Sequence, residues 1–172
     1  MPKPRGYIRI DLPQKSFQLF DTNFPYTFQY SSNATINPSL APGENPYWIN
    51  IQYPKFKATI YVSYKTVNNN LQQYTEDSRG FVMKHIPKAT SIDELEISNP
   101  KNKVYGVIYE IQGIQAASPY QFYLTDSTIH FVRGALYFEV VPNNDSLQPV
   151  IAYLKEDLEQ MIQTFRWKKN YL

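Results

Sequence analysis

The sequence predicts an α+β fold in which an antiparallel β-sheet packs with helices, ending in an amphipathic helix. Strand-like and helix-like stretches follow one another without regular strand–helix–strand alternation, which argues against a doubly wound parallel sheet. Apolar residues alternate in two neighbouring stretches, 47–53 and 58–64, and the short link between them indicates an antiparallel hairpin. Near the end of the chain, apolar residues recur at helical spacing from Leu147 to Phe165.

The first third of the chain consists of strand-like stretches interrupted by prolines. A loop rich in Pro, Gly and Asn follows over residues 37–46. In the hairpin, one predicted face carries Ile49 and Ile51, and the opposite face carries Asn50 and Gln52. The predicted early strands are Tyr7–Leu12, Phe17–Phe20, Tyr26–Tyr30 and Ala34–Ile36.

A helix is predicted after the hairpin, because three asparagines at 68–70 favour helix entry and Pro87 stops it near Ile86. Residues 88–103 are polar, and we expect them to be irregular around a short turn at 93–97. Strands are predicted again at 103–111, 120–125 and 129–141. The apolar stripe of the predicted helix is Leu71, Tyr74, Ser78, Val82 and His85.

The C-terminal helix is the best defined element of the sequence. Residues 143–146 supply polar groups that cap a helix. The predicted buried stripe is Leu147, Ile151, Leu154, Leu158, Met161 or Ile162, and Phe165. The predicted solvent-facing side is Lys155, Glu156, Asp157, Glu159 and Gln160.

At 172 residues the chain has the length of one domain. We expect an extended leader over 1–6, a globular domain over 7–168 and a frayed tail over 169–172. Pro2 and Pro4 prevent the leader from starting a helix or a central strand. Leaders of this kind join a domain to something upstream, so we expect the native chain to continue before residue 1.

Composition excludes several classes of protein. With 17 basic and 15 acidic residues the net charge is +2, far from the strong charge of a dedicated nucleic-acid binder. The chain has no cysteine, so disulfides, thiolate zinc sites and cysteine nucleophiles are excluded. Its 15 Tyr and 10 Phe either reflect a β-rich core or form a contact face, and we favour the core.

The sequence predicts no enzyme and no cofactor. His85 continues a helical stripe, which favours a packed histidine over a metal ligand. His130 follows Asp126 and Ser127, but three residues within one hairpin would hardly converge into a catalytic triad. Metal-ligand spacings and glycine-rich phosphate loops are absent from the sequence. Gly134, within a strand, predicts a bulge or close packing against the last helix.

Three sets of residues are candidates for function. Asp126-Ser127-Thr128 and Asp145-Ser146-Leu147 match a short O-glycosylation pattern of exported Bacteroidetes proteins, which makes Ser127 and Ser146 possible O-glycosylation sites. The candidate ligand pocket is formed by His130 and Arg133. The candidate protein-interaction patch is Tyr47, Trp48, Tyr53, Tyr61 and Tyr64.

Characteristic blocks lie in order along nearly the whole chain, at 2–7, 9–13, 46–51, 54–57, 65–71, 76–79, 103–111, 117–119, 122–127 and 130–138. These blocks resemble the gliding motility lipoprotein GldD family of Bacteroidetes. The resemblance implies an exported, membrane-anchored envelope protein needed for gliding and type 9 secretion. Family members carry a lipoprotein signal ending in cysteine before the leader, so the resemblance implies a lipid anchor upstream of Pro2. The element order is similar to the Mog1/PsbP-type fold.

We therefore expect a non-enzymatic binding module that assembles or stabilises other gliding and type 9 secretion proteins of the envelope. Its expected partners are other lipoproteins of this machinery and the membrane that holds its lipid, and nucleic acid is not among them. The alternative is a module that binds a small ligand or a glycan. A concave pocket with convergent polar groups favours the alternative, and a flat aromatic patch favours the first function.

Overall fold

The structure is a computed structural model that describes residues 11–39, 45–113, 118–139 and 144–169. Two short 3₁₀ turns lie at Pro54–Phe56 and Ile86–Lys88. The elements are β1 (Phe17–Phe20), β2 (Tyr26–Ser31), β3 (Thr35–Pro38), β4 (Ile49–Tyr53), β5 (Ala58–Thr66), α1 (Leu71–Met83), β6 (Ser91–Asn99), β7 (Val104–Gln112), β8 (Tyr120–Thr125), β9 (His130–Phe138), α2 (Asn144–Thr164) and β10 (Arg166–Trp167).

The strands form two antiparallel sheets. Seven strands pair in the order β3-β4-β5-β9-β8-β7-β6, and three pair in the order β1-β2-β10. The predicted antiparallel hairpin is present as β4 and β5, with Ile51 opposite Ile60. A 3₁₀ turn closes it, and Lys57 takes a left-handed conformation (φ 50°) at the end of that turn. The predicted α+β fold with antiparallel strands is confirmed.

The largest error of the sequence prediction concerns residues 88–103, which were expected to be irregular. Ser91–Asn99 forms β6, a nine-residue strand in unbroken register with β7. Asp and Glu are uncommon in strands. Because Asp93, Glu94 and Glu96 lie in this stretch, its composition did not indicate a strand. At the edge of a sheet these charges are tolerated, because one side of the strand remains in solvent.

Some predicted elements lie wholly or partly outside the described residues. The leader, most of the predicted strand Tyr7–Leu12 and the tail beyond Lys169 belong to this group. Asp11 and Leu12, the described end of that strand, are not in a strand. The predicted strand 129–141 is described only to residue 139, and β9 ends at Phe138.

Helix α1 packs on one face of the seven-stranded sheet, where Val82 contacts Tyr109 and Ile111 in a small second core. It ends at Met83, one turn before the predicted Ile86. The predicted cap is absent in its expected form, because Asn70 accepts a hydrogen bond from the Asn68 N–H (2.7 Å) instead of capping the helix.

Helix α2 packs on the opposite face and forms the main core. The predicted apolar stripe is confirmed, since Leu154, Met161 and Phe165 are almost fully buried. Both Met161 and Ile162 are buried, although the sequence pattern left open which of them faced the core. Phe165 stacks on Tyr26 (5.4 Å between ring centroids), so the aromatic residues of β2 also belong to this core.

Gly134 lies within β9, opposite Val62 of β5 and Phe122 of β8. The register of both strand pairs is regular at this point, without a bulge. A Cβ at this position would lie 2.3 Å from the ring of Phe122. The glycine therefore makes room for an aromatic ring of the neighbouring strand, and the predicted packing against the last helix is wrong.

Asp157 was predicted on the solvent-facing side of α2, and it is buried (3% exposed). Lys15 Nζ lies 2.7 Å from its Oδ1, and the Tyr53 hydroxyl donates to its Oδ2 at 3.0 Å. The ammonium of Lys15 also donates to the Tyr153 carbonyl (2.7 Å). This cluster attaches the segment before β1 to α2 and to the sheet. Burial, followed by the charge of Asp157, raises the pKa of Tyr53, so the phenol remains a donor.

His130 joins β10 to the sheet. Its Nδ1 lies 2.6 Å from the Tyr64 hydroxyl, and its ring stacks on Trp167 with 4.9 Å between centroids and 9° between planes. Burial lowers the pKa of His130, although the charge of Asp126 acts in the opposite direction. The neutral imidazole therefore fits this site better than the imidazolium.

Replacing Lys15 by Met should lower the free energy of unfolding by about 2–3 kcal/mol, because the buried Asp157 carboxylate loses its cation. Urea unfolding measures this change. The matched control is Lys55→Met on an exposed lysine, expected to change stability by about 0.5 kcal/mol or less. Adding Asp157→Asn to Lys15→Met should recover part of the loss. Equal stability of Lys15→Met and Lys55→Met would contradict this account.

The free energy of unfolding should fall as the pH drops below about 6.5, the ordinary pKa of histidine. In that range the unfolded chain takes up a proton at position 130 that the folded chain does not, since the pKa of folded His130 is lowered. Urea unfolding between about pH 5 and 8 tests this. The substitution His130→Gln should reduce the slope of the free energy of unfolding against pH. Because the pKa of His85 is also lowered, His85→Gln is the comparison variant, and an unchanged slope in His130→Gln would refute the role of His130.

Candidate functional site

A groove runs along one side of α1, over the parts of β4, β5 and β9 that the helix leaves uncovered; we call it the α1 groove. Its volume is about 290 Å³. Alternate residues of β5 and β9 face it because side chains along a strand point to opposite sides. The residues that define its chemistry are Trp48, Asn50, Tyr61, Lys65, Tyr74, Asp77, Phe81 and Arg133.

Aromatic rings form the walls of the α1 groove, and several are held in place. Trp48 donates its indole N–H to the Tyr64 carbonyl (2.8 Å). Tyr61 is 47% exposed and meets Tyr137 edge-to-face at 5.9 Å. Phe81, on α1, is 43% exposed. Large exposed rings on a fixed backbone are favourable contact residues, because little conformational entropy is lost on binding.

Arg133 is the most constrained polar residue of the α1 groove. Its guanidinium carbon lies 4.6 Å from the centroid of the Phe81 ring, a cation–π contact. It donates to the Gln121 side-chain oxygen, and the Gln121 amide nitrogen lies 3.2 Å from Nε2 of His85. Burial lowers the pKa of Arg133, and the Arg133 charge, after burial, helps to lower the pKa of His85. These contacts hold the guanidinium in a fixed position in the groove.

Lys65 and Asp77 add charges of opposite sign to the α1 groove. Lys65 Nζ lies 5.0 Å from the centroid of the Tyr74 ring. Asp77 accepts a hydrogen bond from Gln73 one helical turn earlier (2.8 Å). Both side chains are exposed. A ligand in this groove would meet aromatic faces, two cations and one carboxylate.

The predicted pocket of His130 and Arg133 does not exist as a pair. The two residues are three positions apart on β9, so their side chains leave opposite faces of the sheet. His130 lies in the main core beside Tyr64 and Trp167, whereas Arg133 lines the α1 groove. Arg133 remains a candidate binding residue, whereas His130 has a structural role.

The predicted aromatic patch is divided in the same way. Tyr53 and Tyr64 are buried, with 2% and 3% exposure, and are not available to a partner. Tyr47 is half-buried and packs edge-to-face on Tyr64 at 5.6 Å. Only Trp48 and Tyr61 reach the α1 groove, because they leave the other face of the hairpin.

Sequence reasoning missed the contribution of α1 to this site. Phe81 lies outside the apolar stripe predicted for the helix, yet it is a large apolar side chain. An aromatic residue on the wrong side of an amphipathic helix is the signal that would have found it. No sequence pattern distinguishes Lys65 and Asp77 from other charged residues of the surface.

The two predicted glycosylation sites differ in what the structure describes. Ser127 is exposed at the tip of the β8–β9 turn, in a left-handed conformation (φ 72°). Ser146 lies in the first turn of α2, but its side chain is outside the described part. Modification of either residue stays a prediction.

Within the described ranges, no group of three or more His, Asp or Glu side chains is placed to hold a metal ion. In the same part of the chain, no helix combines the length and apolar character that crossing a membrane requires.

Comparison with known proteins identifies the fold and the family. The solved structure of cyanobacterial PsbP from Synechocystis superposes with a TM-score of 0.53 at 10% identity, covering 91% of this chain and 95% of that chain. At this identity the likeness concerns the fold alone, and it confirms the predicted PsbP-like arrangement. No curated protein matches the chain significantly.

The family described as gliding motility lipoprotein GldD matches residues 1–167 of the 172-residue chain. This description names a lipoprotein and a motility process, and it implies a membrane-anchored location in the cell envelope. The predicted resemblance is thereby confirmed, and the chain belongs to the gliding motility lipoprotein GldD family.

Proposed function

We propose that this chain is a non-enzymatic binding module that assembles or stabilises other envelope proteins of the gliding and type 9 secretion machinery. The observation that carries the proposal is the α1 groove, where exposed Tyr61 and Phe81 lie beside the fixed guanidinium of Arg133. Aromatic residues and arginine are the residue types enriched where proteins bind proteins. Membership of a motility lipoprotein family supports the biological setting.

The groove suits a protein segment because it combines apolar and charged contacts. Rings of Trp48 and Tyr61 offer apolar area, and Lys65 and Arg133 offer donors to carboxylates or backbone carbonyls of a partner. Arg133 loses little freedom on binding, since Phe81 and Gln121 already hold it. These contacts would make the groove the centre of the interface.

A second candidate function is binding of a small ligand or glycan in the same groove. Its volume of about 290 Å³ is close to the lower end of the range for ligand sites. Aromatic faces with nearby polar groups such as Asn50 and Asp77 are suited to a polar, ring-containing ligand. Saturable quenching of tryptophan fluorescence by oligosaccharides would favour this function, and Trp48→Phe should abolish that quenching.

The double substitution Tyr61→Ala with Phe81→Ala should abolish gliding and co-purification of partner proteins while leaving the fold intact. Both side chains are more than 40% exposed, so their removal leaves no buried cavity. The measurement is spreading of a gliding bacterium whose own gene is replaced by the variant, with cross-linked pull-down from the same cells.

The matched control is Leu19→Ala with Ile86→Ala, which removes two other exposed apolar side chains (60% and 54% exposed) away from the groove. Circular dichroism melting of both double variants checks that each is folded. Normal gliding and normal pull-down with the groove variant would contradict the assignment of the groove.

A further inference from the structure

Strand β6 forms one edge of the seven-stranded sheet. All nine of its residues are in register with β7, and in the described part of the chain no strand pairs with its other side. An antiparallel edge strand points the N–H and C=O groups of alternate residues away from its neighbour. β6 therefore presents an uninterrupted row of backbone donors and acceptors.

The other edge of the sheet is protected by a short strand and a proline, and β6 has neither. β3 has four residues and ends in Pro38, which has no N–H to donate. Proteins protect edges with short strands, prolines, bulges or inward lysines. Ser91–Asn99 contains no proline and no lysine, and its register is unbroken. The one protective feature of β6 is acidic charge.

The charges of β6 are incompletely balanced within the described part. Asp93, Glu94 and Glu96 are all exposed. Glu94 has a distant partner in Arg79 at 3.5 Å, between two exposed side chains, which contributes little. Asp93 lies opposite Glu110, a second carboxylate, which forms an ion pair with Lys155 (2.8 Å). Cations placed along this edge would be attracted to it.

The two faces of β6 differ in character. Glu94 and Glu96 face the side of α1, along a groove of about 480 Å³ that also contains Tyr105 and Tyr123. Leu95 faces the side of α2, is 47% exposed and borders an apolar notch of about 70 Å³. An added strand would lie about 4.8 Å beyond β6, with its side chains alternating between these two faces.

We propose that β6 binds an extended segment of a partner protein by strand addition, and that this segment alternates Lys or Arg with apolar residues. The proposal rests on the proposed function, that of a binding module, and adds a second surface on the opposite side of α1 from the α1 groove. Backbone hydrogen bonds to β6 supply affinity. The basic side chains face Glu94 and Glu96, and the apolar ones cover Leu95.

A second copy of this chain fits the same edge poorly. If two β6 strands paired antiparallel about Leu95, Glu94 of each would lie opposite Glu96 of the other. Shifting the register by two residues, the smallest step that keeps each side chain on its own face, places Glu94 opposite Glu94 or Glu96 opposite Glu96. Like charges directly opposite one another destabilise a sheet, so self-pairing is disfavoured in these registers.

The test uses synthetic peptides of about ten residues and the purified protein. A peptide alternating Lys and Val should bind and slow amide hydrogen exchange at alternate residues of β6. A Lys/Pro peptide keeps the charge but cannot add a strand, and a Glu/Val peptide adds a strand of the wrong charge; neither should slow exchange. Binding of the Lys/Pro peptide as tight as that of Lys/Val would overturn the proposal.

Charge reversal by Glu94→Lys with Glu96→Lys should weaken binding of the Lys/Val peptide by about tenfold or more. The matched control is Glu76→Lys with Glu139→Lys, which makes the same change in net charge at exposed positions elsewhere. Equal weakening by both variants would overturn the proposal, because binding would then follow net charge. Concentration-dependent protection of β6 without peptide would overturn it in favour of a second copy.

Gliding assays separate this proposal from the proposed function. We expect the β6 charge-reversal variant to be folded and non-gliding, and the Glu76/Glu139 variant to glide normally. If the β6 variant glides while the Tyr61/Phe81 variant does not, strand addition is refuted and the binding module stands. If cells lacking the gene also glide, the proposed function fails, whatever the peptides show.

Discussion

The alternation of side chains along β9 is the constraint on which the rest of the structure depends. β9 is the central strand of seven and is in continuous register with β5 on one side and β8 on the other. Its even-numbered residues, such as His130 and Val132, face the main core under α2. Its odd-numbered residues, such as Phe131 and Arg133, face α1. A shift of one residue would exchange the two sets and place Arg133 in the core.

The grooves arise from a mismatch between the widths of the sheet and of α1. Seven strands span about 29 Å, whereas one helix covers about 10 Å. A single helix on that face therefore leaves uncovered sheet on both sides, which gives the α1 groove on one side and the groove beside β6 on the other. The opposite face has no such surplus, because β1, β2 and β10 extend the layer formed by α2. The side of the sheet with surplus width carries the exposed rings of Tyr61 and Phe81 and the carboxylates of Glu94 and Glu96.

Buried and exposed charges have different roles in this molecule. Asp157 is buried and bound by Lys15 and Tyr53, so the contacts of this carboxylate contribute to the stability of the fold. Lys65, Glu94 and Glu96 are exposed at the grooves, where solvent screens their charges and they contribute little to folding. Charges that do little for the fold are available for recognition. This division of charges is one argument for the proposed binding function.

Local periodicity was sufficient to predict most elements from the sequence: the β4–β5 hairpin, α1, the buried stripe of α2 and the antiparallel α+β class all follow from spacing within a few residues. The family also followed from sequence blocks. The sequence did not predict β6, because its acidic residues are uncommon in strands. They are tolerated there since an edge strand is exposed to solvent on one side.

Only the tertiary structure decided which side of each element is covered. The burial of Asp157 depends on Lys15, 142 residues away in the chain. Alternation along the strands separates His130 from Arg133 and Tyr53 from Tyr61, but the layer that packs on each face decides which of them is buried. Sequence spacing determines which residues share a face, but contacts between distant segments determine what that face meets.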